Sequence, residues 1–156
     1  MFRLGDAASD TRMRCLCLLP FALLAAAPAV AQKPGDRTTS PRSLLESMGL
    51  APEQDDIRAA VEAAAAHPLG SLKNPVRVGG PAGERAYIAR LRCADGSAPK
   101  VGERASAGVG AFGTIVDLFP LDCGAAAPGR TELVMDMYHE EHREDSAPPG
   151  FTILPR

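Results

Sequence analysis

The chain has 156 residues and a formal net charge of −2, with 46% hydrophobic side chains, no Trp, two Tyr and five Phe. That length allows one domain and leaves little room for a second. The near-neutral, slightly acidic balance argues against nucleic acid or an anionic membrane as partner, since either favours a basic surface. Ala, Gly, Pro and Arg are abundant and Lys and Asn scarce, which fits a GC-rich bacterial genome.

Residues 1–31 read as a signal peptide. Arg12 and Arg14 give a positive start, Cys15 to Ala27 (CLCLLPFALLAAA) is an apolar run, and Ala29-Val30-Ala31 is a small-x-small cleavage site before Gln32. The run is shorter than the roughly 20 residues a membrane-spanning helix needs, and Pro20 and Pro28 weaken it further. Met13 offers a second start, because Met1 to Thr11 places two acids where a leader is basic. Neither Cys15 nor Cys17 follows a completed apolar run, so a lipoprotein signal does not fit. The expected location is the periplasm or beyond, with no stable membrane span after cleavage. Removing this segment leaves 125 residues with 14 basic and 17 acidic side chains.

Two of the four cysteines, Cys93 and Cys123, survive cleavage. In an oxidising compartment such a pair is expected to bridge, worth about 3–4 kcal/mol for a loop of that length. The alternative, a redox-active pair, lacks a C-x-x-C spacing. After the leader only Tyr87, Phe112, Phe119, Tyr138 and Phe151 are aromatic, so the core is modest and the bridge matters.

Residues 32–40 (QKPGDRTTS) read as a disordered lead. Ser40-Pro41 predicts a helix start, with Leu44, Leu45 and Met48 as its stripe and Gly49 as its end. A second helix is expected from Pro52 to Ala66. Glu53, Asp55 and Asp56 sit in its first turn, Ile57, Ala60, Val61 and Ala64 form its buried face, and Pro68 stops it. Pro75 to Gly79 reads as a short extended piece. Glu84 to Cys93 (ERAYIARLRC) alternates and is expected to be a strand, with Tyr87, Ala89, Leu91 and Cys93 on one side. Ala94 to Gly110 reads as a long connection. Phe112 to Cys123 and Thr131 to Tyr138 are strand patterns joined by a hairpin-type loop, Gly124 to Gly129. The expected fold is α+β: two N-terminal helices packed on a small, mainly antiparallel β-sheet with one disulfide, in a single domain spanning 41–156.

Three histidines are the first candidates for chemistry. His139 and His142 are spaced H-x-x-H and, with His67, Glu144 or Asp136, could complete a zinc or copper site. The zinc-protease spacing is missed by one, because residue 143 is Arg143. The plainer readings are a helix-end imidazole for His67 and a solvated turn for the other two. Asp117 and Asp136 are acids inside apolar strand patterns. On neighbouring strands they would form, with Tyr138 and His139, a possible acid–base pair for a hydrolase. The alternative is a solvated sheet face, with Arg90 and Arg92 as cross-strand partners. Gly108 to Gly113 matches G-x-G-x-x-G, but a strand pattern follows where a dinucleotide site requires a helix. Ser71, Ser97 and Ser106 lack a nucleophile-elbow context.

The segments His67-Pro68-Leu69-Gly70-Ser71 with Asn74-Pro75-Val76-Arg77, Tyr87 to Cys93 (YIARLRC), Phe112 to Asp117 (FGTIVD), Asp136-Met137-Tyr138-His139 and Pro148-Pro149-Gly150-Phe151 resemble a family of small exported bacterial proteins to which no activity attaches. The resemblance covers most of 67–154. It implies a self-contained domain and draws attention to His67, Arg77, Asp117, Asp136, Tyr138 and His139. Together these readings favour a non-catalytic binding or structural role with no cofactor. A metal-binding protein using His139 and His142 is the first alternative, and a His/Asp-dependent hydrolase the second.

Overall fold

A computed structural model of the chain describes residues 39–156. The expected signal peptide and most of the polar lead lie outside the described residues. In chain order the elements are α1 (Pro41–Ser47), α2 (Gln54–Ala64), β1 (Val76–Arg77), α3 (Gly80–Arg90), β2 (Leu91–Arg92), β3 (Lys100–Val101), β4 (Ala105–Val109), β5 (Ile115–Asp122), β6 (Arg130–Asp136) and β7 (Thr152–Ile153). The fold is α+β with one disulfide, joining Cys93 and Cys123 across a Cα separation of 5.8 Å.

Helix α1 begins as expected: the Ser40 hydroxyl accepts from the Ser43 amide at 3.1 Å, and Pro41 stands at the first helical position. Its stripe is not buried, and Leu44 and Met48 each remain 51% exposed. Helix α2 carries Asp55 and Asp56 in its first turn and buries Ile57 and Ala64.

The segment expected as a strand from Glu84 to Cys93 is instead helix α3 followed by the two residues of β2. Glu84, Tyr87, Ile88 and Leu91 are buried, and their spacing of three, four and seven is helical. The alternating pattern shares Tyr87 and Leu91 with that stripe, so the two periods compete. Ala89, which only the strand reading needs inside, is exposed. Pro81 in the first turn, after Gly79 and Gly80, starts the helix.

Residues 94–110 are also not one connection, because they contain β3 and β4. Both are edge strands made mostly of exposed side chains, so no hydrophobic alternation announced them. The main sheet runs β1-β6-β5, and β3 and β4 share the far edge of β5. Strands β5 and β6 pair antiparallel from Asp117↔Met135 to Asp122↔Arg130, whereas β1 joins β6 in parallel. The edge formed by β3 and β4 is broken at residues 102–104. Opposite the break lies Pro120, whose carbonyl accepts from the Gly102 amide at 2.8 Å but which has no N–H to return.

One face of the sheet, with Phe119, Leu121, Leu133 and Met135, packs against Tyr87, Ile88 and Leu91 of the α3–β2 segment. Val76, Val78, Phe151 and the two bridged cysteines complete this core. Strand β2 pairs antiparallel with β7 in a second, two-stranded sheet. The glycine-rich stretch before β5 is a turn: Gly110 donates to the Thr114 carbonyl at 2.8 Å, and a Cβ at Gly110 would run into Val116 Cγ1. Among the described residues no helix is long and apolar enough to cross a membrane.

Candidate functional site

Two buried polar clusters lie on opposite faces of the sheet. The register Asp117↔Met135 puts Asp117 on the face that meets α3, and alternation then turns Asp136 to the other face. The acid pair expected from Asp117 and Asp136 therefore does not form, although their strands are neighbours. Arg90 and Arg92 are not their partners either. Arg90 lies on α3 and binds Asp145 Oδ1 at 2.7 Å, and Arg92 donates to the carbonyls of Ala89 and Leu91.

Asp117 is joined instead by Glu84, whose side chain is only 2% exposed. Arg104 reaches from the break in the sheet edge to both acids. Its Nη1 stands 3.3 Å from Glu84 Oε2 and 3.4 Å from Asp117 Oδ2. Glu84 Oε1 has no hydrogen-bond partner. Burial, reinforced by the neighbouring Asp117 carboxylate and opposed by Arg104, pushes the Glu84 carboxyl up to about 7. Tyr138 lies within electrostatic reach of this group and of Asp136. Burial raises its hydroxyl first, and the two aspartates add to the effect.

On the other face Asp136 is fully buried. Its Oδ2 accepts from the Thr114 hydroxyl, and its Oδ1 accepts from the Tyr138 amide at 3.0 Å. His139 Nε2 lies 3.3 Å from Asp136 Oδ2 but is not aligned for a hydrogen bond, and so has no partner. The His139 ring meets Phe112 edge-on with centroids 5.3 Å apart, and the Arg77 guanidinium stands 5.8 Å from the Phe112 centroid. Arg77 is half-buried. Desolvation lowers its pKa, and the charges of Glu144 and Asp136 work against that shift. The parallel register Arg77↔Asp136 sets this cation beside the buried acid.

A groove of about 380 Å³ runs along α3. Its floor is Gly79, Ala82, Gly83 and Ala86, and its rim carries Arg90, Arg143, Arg156, His142, Glu140 and Glu144. A Cβ at Gly79 would come within 2.9 Å of Glu140 Cα, so glycine there lets the two walls approach. His142 Nε2 contacts Glu144 Oε2 at 3.2 Å. Burial would raise the Glu144 carboxyl, but the Ser146 amide and His142 outweigh it and hold the carboxyl below its ordinary range.

The histidines thus go to three places: His139 faces buried Asp136, His142 lines the α3 groove, and exposed His67 follows α2 beside a different groove with Leu72 and Lys73. Among the described residues no three His, Cys, Asp or Glu side chains converge as metal ligands. Glu84, Arg104 and Thr114 are the polar residues that sequence reasoning missed. The signal for Glu84 was available as an acid inside a helical apolar stripe. Arg104 carried none, since it lies in a break whose cause is Pro120 sixteen residues later.

No family model matches the chain, and neither a curated protein nor a solved structure matches it.

Proposed function

We propose that this chain is an exported, non-catalytic binding domain that holds a small ligand in the groove along α3. The observation that carries the reading is the contrast between groove and clusters. An acid or base must reach the reacting atoms to act. Glu84, Asp136 and His139 are sealed and none of them lines the α3 groove, whose own imidazole, His142, is held against Glu144. The groove itself has a floor of small residues that admits a ligand close to the helix. Among its cations, Arg90 and Arg156 are engaged by Asp145, while Arg143 makes no ion pair with a described residue. This arrangement suits a ligand with a small apolar body and a carboxylate or phosphate end.

The test is an NMR titration of the mature protein with acetate, inorganic phosphate and a short alanine peptide. Saturable shifts at Gly79, Ala82, Gly83 and Ala86, lost in Arg143→Glu, are expected. Turnover in a substrate screen that His139→Ala abolishes without changing the melting temperature would replace this reading with the hydrolase.

Metal binding is the second reading, favoured by the unpartnered nitrogen of His139. Elemental analysis of protein purified from periplasm without chelator decides it. About one zinc or copper per chain, lost in the His139→Ala, His142→Ala double variant, would establish a metal site.

A further inference from the structure

At the break between β3 and β4, backbone pairing gives way to side-chain charge. Pro120 supplies an acceptor, which Gly102 uses, but no donor. Two residues on, Arg104 sends its guanidinium under the sheet to Glu84 of α3 and Asp117 of β5. We propose that Arg104 is a pH-operated latch: it fastens the start of β4 to α3 and β5 while both carboxylates are ionised, and releases Glu84 when that carboxyl takes up a proton.

The geometry gives each group its part. Glu84 is almost wholly buried and its Oε1 lacks a partner, so there is an oxygen free to carry the proton. A protonated Glu84 can donate to the Asp117 carboxylate beside it and no longer offers Arg104 a charge. Arg104 is 46% exposed, so water can receive its released guanidinium. Besides Asp117 and Arg104, the titratable group near Glu84 is Tyr138, just after β6. The closed latch holds two negative charges against one positive; in the open one Glu84 is neutral and donates to Asp117, so Arg104 loses its tie to α3 and shares its one remaining carboxylate with that donor. The upward displacement of Glu84 to about 7 places the changeover near neutrality.

Amide exchange at Ala105 and Ser106, at the start of β4, corrected for its intrinsic pH dependence, reads the latch directly. In the wild-type protein these amides are expected to exchange at least about tenfold faster at about pH 5.5 than at about pH 8. Global stability in urea should move the opposite way, because protonating a buried acid favours the folded state. The Glu84→Gln variant should show fast local exchange at both pH values. The latch is overturned if local exchange simply follows global stability, or if Glu84→Gln keeps the pH step. Should Glu84→Gln fail to fold, Arg104→Gln decides: its side chain is half exposed, and loss of the step supports the latch, whereas a retained step overturns it.

Discussion

Glu84 shows how one residue can set the pH response of the domain. Its folded pKa, raised from 4.5 to about 7, lies above its unfolded value. The folded state therefore binds more protons through that window, and stability falls as pH rises from 4.5 to about 7. The expected loss is roughly 3 kcal/mol, and Glu84→Gln should flatten the urea midpoint across the same range. Asp136 makes the opposite kind of demand. It is fully buried and accepts from Thr114 and Tyr138, so Asp136→Ala orphans two donors and leaves a void. A cost of about 3–5 kcal/mol is expected in denaturant unfolding, against less than about 1 kcal/mol for an exposed acid such as Asp55. Asp136 was visible in the sequence as a charge in an apolar strand. His139 was already grouped with it there, but the Thr114 hydroxyl was not, because it reaches Asp136 from a turn that carries no periodic pattern.

Among the elements, the two short N-terminal helices were legible because caps and proline positions are local signals. Ser40, Pro41, Asp55 and Asp56 each act within one helical turn. What local chemistry could not give is burial. The stripe of α1 stays outside, so Leu44→Ala should change stability by no more than about 0.5 kcal/mol, whereas Leu91→Ala should cost about 2–5 kcal/mol. Thermal or urea unfolding of the two variants separates these cases. The misreading of α3 has the same origin. Tyr87 and Leu91 satisfy both a period of two and a period of 3.6, and Glu84, Ile88 and Ala89 distinguish them. A buried acid looks like an exposed one in sequence, so the pattern pointed the wrong way. Strands β3 and β4 were invisible for a different reason: they are held by backbone pairing to β5, and pairing leaves no mark on edge side chains. The hydrophobic strands β5 and β6, with the loop between them, were plain from composition because both are buried on the face that meets α3.

The whole molecule depends on a link between its two sheets. Strand β2 pairs only with β7 among the described residues, and Cys93, just beyond β2, is bridged to Cys123 at the end of β5. Replacing both cysteines by serine should cost about 3–4 kcal/mol for a separation of 30 residues. The urea midpoint checks the energy, and thiol counting on the unfolded, non-reduced protein checks the bridge. That the bridge joins two strand ends was foreseeable from sequence; that those strands lie in different sheets follows from β2 pairing with β7. Strand β7 is just two residues long and is followed by three more, with Arg90 holding the Leu154 carbonyl and Asp145. The bridge anchors the strand to which β7 is paired, so the thiol state governs how readily the β2–β7 pair opens. Under reducing conditions amide exchange in the β2–β7 pair should speed up well before the β5–β6 ladder opens, whereas the oxidised protein should keep both protected. Reduction would thus loosen the smaller sheet first and leave the larger one standing.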